Sequence, residues 1–263
     1  MNASSRVRSV AVVLFALVAL AALSPSAHAT HSWNNYHWAR TSNPFTITVI
    51  DSMTSDWDDN LNAANSDWDA SSVLNVAYEA GDESTRTRKR CPAVSGKVRS
   101  CNALYGYNGW LGLAQIWLSG GHIVQGTAKM NDSYLASSSY DETNRQHVIC
   151  QEIGHDWGLG HQDESGADLN TCMDYANAFD NPDPNAHDYE QLEIIYNDHL
   201  DGNNTAAALP ADVANAVLDT PAQWGREVHA AGRTSIFERE FPGGHKIITH
   251  VFWAEERGHA HDH

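Results

Sequence analysis

Residues 147–161 read HVICQEIGHDWGLGH, and residues 172–175 read CMDY. Within the first stretch, Glu152, His155, Gly158 and His161 keep the spacing E-x-x-H-x-x-G-x-x-H. Side chains four apart on a helix share a face, so Gln151 and His155 are placed to grip one metal ion. Glu152 stands beside that face, where a carboxylate can act as general base on a metal-activated water. Gly158 can take a positive φ and end the helix, after which the chain can turn back and deliver His161 as a further ligand. The helix is expected to start near Asp141, capped by Asp141 or Ser139, and to run to about Trp157. That puts His147, Gln151 and His155 on one stripe. His147 lies one turn before Gln151, too far along a straight helix to stand in for it.

This pattern resembles the metzincin signature H-E-x-x-H-x-x-G-x-x-H with its Met-turn, as found in matrixin- and astacin-like zinc metallopeptidases, with Gln151 where the first ligand His is expected. Cys172-Met173-Asp174-Tyr175 is similar to the Met-turn of astacins and serralysins. The resemblance covers roughly residues 40–200. It implies Zn²⁺ as cofactor, held by Gln151, His155 and His161, with Glu152 as general base. Met173 would form an apolar floor under the metal. Tyr175 would be a distant ligand or an oxyanion stabiliser, and otherwise an anchored core tyrosine; read from the residue alone, Asp163 either orients a ligand His or makes a surface salt link. The implied function is a secreted zinc-dependent endopeptidase acting on a polypeptide bound in extended form. The alternative is a catalytically silent metzincin-fold binding protein, because a neutral amide is a poorer zinc donor than imidazole. The ending His259-Ala-His-Asp-His263 offers a second, separate place for metal, with a frayed tail as the alternative reading.

The rest of the chain supplies the frame. Arg6 and Arg8, the apolar run Val10–Leu23 and the A-x-A site at Ala27–Ala29 read as a secretory signal over residues 1–29, with maturation at Thr30 and a secreted, extracellular destination. The net charge is −17, which argues against nucleic acid or an anionic membrane as partner. Four cysteines in an exported chain suggest two disulfides. Of three possible pairings, Cys91–Cys101 and Cys150–Cys172 are favoured; the second would tie the motif helix to the Met-turn.

Phe45–Ile50 and Val73–Tyr78 read as strands, and Thr54–Ala70, with Trp57, Leu61, Ala64 and Trp68 recurring at helical spacing, as the helix between them. That order suggests a right-handed crossover and a parallel pair. Residues 81–101, polar and basic around Arg86, Arg88, Lys89 and Arg90, read as a solvated loop. Trp110–Leu118 and His122–Met130 flank Ser119-Gly120-Gly121 as a hairpin. The first of these matches in order the metzincin edge strand that borders the cleft, open to β-pairing with a peptide. A final helix is expected over His187–Leu200. The fold class is α+β: a mixed, twisted sheet with a crossover helix, an active-site helix, a Met-turn and a C-terminal helix over residues 30–200. Residues 201–263 read as a linker and a small appendage, with a short helix opened by Pro210 and a hairpin around Phe241–Gly244.

Overall fold

A computed structural model describes residues 31–162, 166–176 and 180–254. The signal segment, Asp163 and the His259–His263 ending lie outside the described residues. The elements in chain order are β1 (His37–Trp38), β2 (Phe45–Ser52), α1 (Asp58–Asp69), β3 (Leu74–Ala80), α2 (Thr85–Arg90), β4 (Lys97–Ala103), β5 (Trp110–Ser119), β6 (His122–Asn131), α3 (Asp132–Leu135), α4 (Glu142–Asp156), α5 (Ala186–Asn197), α6 (Ala211–Ala214), β7 (Arg226–Ala231), β8 (Thr234–Phe241) and β9 (His245–Trp253).

The fold is α+β around one mixed sheet with the strand order β3-β2-β4-β6-β5-β9-β8-β7, and β1 pairs with β6. β2 and β3 are parallel, as the crossover through α1 requires. The β5–β6 hairpin is antiparallel. On one face the sheet buries a core with α1 and α4, to which Trp57, Trp68, Val148, Ile153, Trp157 and Met173 contribute. On the other face a second cluster gathers Trp110, Leu113, Trp117, Trp224, Val251 and Trp253. The alternation of β9 divides its side chains between the two: Ile248 and Phe252 enter the first cluster, Ile247 and Val251 the second.

Three expectations are corrected. Residues 81–101 are not a plain loop, because α2 and β4 lie within them. Ser84 caps α2 by accepting from the Thr87 amide, and Arg88, Lys89 and Arg90 sit in its last turn, where the helix dipole favours cations. Nor is β5 an edge. β6 covers one side of it and β9 the other, in antiparallel register from Ser119↔His245 to Trp110↔Trp253. The backbone groups on which an extended peptide would pair are therefore used by β9. Lastly, residues 201–254 are not appended to the domain, because β7, β8 and β9 continue its sheet. The stretch before them is anchored to it: the Asp201 amide bonds the Arg40 carbonyl at 2.7 Å, and Trp117 Nε1 donates to the Val213 carbonyl at 3.0 Å.

Both disulfides pair as favoured, Cys91–Cys101 and Cys150–Cys172. No helix among the described residues is long and apolar enough to cross a membrane.

Candidate metal centre

α4 is set at both ends by its sequence. Asp141 and Asn144 form a reciprocal capping box at its start. At its end Trp157 closes the last turn and Gly158 takes φ +92°. A side chain at 158 would also run into the Tyr36 carbonyl, so this turn demands glycine twice over. From Gln146 to Asp156 the helix is buried throughout.

His155 and His161 come together as the spacing implies, with ring centroids 4.6 Å apart. His155 Nδ1 lies 2.9 Å from the Leu159 carbonyl. Donation there fixes the tautomer and leaves Nε2 with its lone pair for a metal. Burial pushes the His155 pKa down to about 4. Burial, followed by the neighbouring imidazoles His155, His250, His229 and His31, pushes His161 well below its ordinary range. Both rings are therefore neutral at physiological pH, the state that ligation needs. Tyr175 stacks on His161 at 4.4 Å, and its hydroxyl lies 2.9 Å from His229 Nε2 on β7.

Gln151 and Glu152 are fully buried. Neither polar atom of the Gln151 amide has a hydrogen-bond partner. Glu152 points at β5, where a Cβ at Gly112 would collide with its carboxylate; Asp156, one turn on, points likewise at Gly126 of β6. The two glycines make room for two buried acids. Burial first, then the Asp156 charge, pushes Glu152 well above the carboxylate range, against a smaller opposing effect of the Ala114 amide. Burial does the same to Asp156, opposed by the Thr127 amide.

The turn at residues 171–175 is held by its own polar atoms. Thr171 Oγ1 accepts from the Met173 amide at 3.0 Å, and Asp174 accepts from the amides of Leu169 and Ala176, each at 2.9 Å. The Cys150–Cys172 disulfide fastens this turn to α4. Met173 Sδ lies against Gly154, next to His155, in space that a Cβ at 154 would fill.

Two histidines in this centre were not anticipated. His250 of β9 stacks on His155, with centroids 3.9 Å apart and planes 14° from parallel, and His229 reaches the site through Tyr175. A signal for His250 was present: the segment Ile248-x-His250-x-Phe252 alternates, which puts a histidine on the buried face between two apolar residues. His147, buried on the same stripe as His155, instead has Nδ1 2.8 Å from the Asn181 carbonyl.

The donor set suits a cation. His161 and His250 each bury two ring nitrogens without a hydrogen-bond partner, and Gln151 buries its whole amide the same way. Each such orphan costs about 1–3 kcal/mol, and ligation would recover that cost for one nitrogen of each ring and for the Gln151 Oε1.

A second group that could hold a metal ion stands elsewhere: His37 on β1, His199 after α5, and Asp201. Asp201 Oδ1 lies 3.6 Å from His199 Nε2 and 2.8 Å from His122 Nε2, and Oδ2 lies 3.9 Å from His37 Nε2. Arg40 Nη1 holds Oδ2 at 3.1 Å, so an ion there would compete with a guanidinium.

Comparison of the sequence with protein-family models and with curated proteins finds no match.

Proposed function

We propose that the chain is a zinc-dependent peptidase of metzincin type, secreted, with its metal on His155 and His161 and with Gln151 as the weaker donor of the motif. The observation that carries this reading is the meeting of two neutral, buried imidazoles, His155 and His161, with Tyr175 of the following turn stacked on His161. Zinc, when bound, supplies a Lewis acid and a water of lowered pKa. Glu152 then has the protein's part of the proton work. A carboxyl raised by burial holds a proton nearer neutral pH than an exposed one, which suits a group that takes a proton from water and returns it to a leaving amine. The Tyr175 hydroxyl, oriented by His229, is the donor for the developing oxyanion.

A second reading has a specific observation in its favour. β9 fills the β5 edge along which an extended substrate would pair, and Glu152 and His155 are buried beneath it. A silent metal-binding module fits that closure, and Gln151 fits it too. Incubation of the purified chain with casein separates the two. The peptidase reading expects cleavage that a chelator abolishes, that added zinc restores, and that Glu152→Ala lowers by about 10²–10⁴-fold. Zinc binding without any chelator-sensitive cleavage would leave the silent module standing. For the His37, His199 and Asp201 group, imidazole and carboxylate donors also favour zinc.

A further inference from the structure

We infer that His250, on β9, is the third imidazole ligand of the motif's metal, in the place Gln151 leaves weak. The inference rests on the metal site proposed above, and it makes that site a joint product of α4, the turn after it and the C-terminal hairpin.

Three observations lead to it. His250 is buried, 1% exposed, and neither of its ring nitrogens has a hydrogen-bond partner. It sits on β9 in register with Ala114 of β5 and Ile236 of β8. Its side chain therefore enters the face that carries Ile248, Phe252 and α4, beside the strand on which Glu152 rests. The surroundings would otherwise be a poor place for it: His161 and His250 together bury four unpartnered ring nitrogens beside the neutral ring of His155, which is costly without a cation between them.

The three rings lie close together, although their nitrogens do not all come within 4.8 Å of one another. Zinc–nitrogen bonds of about 2.0–2.1 Å put ring centres about 3 Å from a tetrahedral ion, and hence about 5 Å from one another. The observed centroid separations are 4.6 Å for His155–His161, 3.9 Å for His155–His250 and 6.5 Å for His161–His250. They bracket that value. His250 lies face to face with His155, 14° from parallel, so its ring must rotate out of that stack as well as move toward His161 before both can point a nitrogen at one ion. Imidazole is also the stronger donor. With three histidines bound, Gln151 becomes a hydrogen-bonding neighbour of the metal rather than a required ligand.

The test uses the full chain, labelled with ¹⁵N-histidine, stripped of metal and titrated with one equivalent of zinc. Single His variants assign the ring signals. The ring nitrogens of His155, His161 and His250 are expected to shift together. If His155 and His161 shift while His250 stays at its metal-free position, the inference fails and the motif site stands. If none of the three shifts, both fail. A competition titration with a chromophoric chelator supplies the second readout. His250→Asn, which removes a ligand, should weaken the motif site by more than about 100-fold, and Gln151→Ala, an outer-shell change, by about 10–100-fold at most. The reverse ranking overturns the inference.

Discussion

Lys129→Met should stabilise the protein at neutral pH. Lys129 lies on β6, turned to the face opposite α4, where it lines a pocket of about 140 Å³ with Arg90, Gln115, Trp117 and Asp219. Its ammonium has one hydrogen-bond partner, Gln115 Oε1 at 3.3 Å. Burial pushes its pKa down to about 8 from an ordinary 10.5, against a smaller opposing pull from Asp219. The sign follows from proton binding. Between pH 8 and 10.5 the unfolded chain binds more protons than the folded one, so wild-type stability rises with pH across that window. Below pH 8 the full cost is present, about 3 kcal/mol at about 1.4 kcal/mol per pKa unit. Methionine removes the charge and fills similar space, and loses a hydrogen bond worth about 1 kcal/mol. The net gain is about 2 kcal/mol at pH 7, or about 4–8 °C in Tm for a chain of this size. Urea unfolding of both proteins at pH 6, 8 and 10 gives the assay. The advantage of the variant should hold at pH 6, shrink above pH 8, vanish near pH 10, and reverse slightly beyond it, where only the lost hydrogen bond remains. A variant less stable than wild type at pH 7, or a difference that ignores pH, would refute the reasoning.

Three further outcomes are expected. Replacing Cys150 and Cys172 with alanine releases a loop of sequence separation 22, and should cost about 3 kcal/mol on the chain-entropy account, read as a lower urea midpoint. Gly158→Ala meets both φ +92° and the Tyr36 carbonyl, and should lower stability by about 2 kcal/mol or more and weaken zinc binding by misdirecting His161; Gly120→Ala, at φ +63° but with open space around it, should cost only about 1 kcal/mol. Gln151→His exchanges an amide for the stronger donor and should tighten zinc in the chelator competition by about tenfold or more where residue 151 is itself a ligand; an unchanged affinity would mean that the third ligand comes from elsewhere, as His250 would supply it.

The parts of the fold legible in the sequence are those written in local code. Asp141 and Asn144, the apolar stripe and Gly158 bound α4 without help from the rest of the chain. The β5–β6 hairpin is marked by Ser119, Gly120 and Gly121, and the β2–α1–β3 crossover by its periodicities. His155, His161, Met173 and Tyr175 converge because turn residues dictate their approach. What was not legible depends on long-range pairing. Nothing near β5 says that a strand about 130 residues later will cover its edge, as Ala114↔His250 does; strand pairing is decided by buried faces and not by local propensity. The basic run at Arg86–Arg90 hid the short helix α2 for a related reason. Its stability comes from the Ser84 cap, the Cys91–Cys101 tether and Arg88 Nη1 donating to the Asn102 carbonyl at 2.9 Å, none of which is a periodic signal. His250 and His229 likewise needed the strands placed before they could be assigned to the centre.

The central claim is that the motif centre holds one zinc ion. Its most direct test is the zinc content of the purified chain beside that of a His155→Ala, His161→Ala double variant, both dialysed against metal-free buffer and measured by elemental analysis. The His37, His199 and Asp201 group is present in both proteins, so the difference isolates the motif. The account predicts that the double variant carries one equivalent less. Equal zinc in the two proteins, or none in either after zinc has been offered, would contradict it.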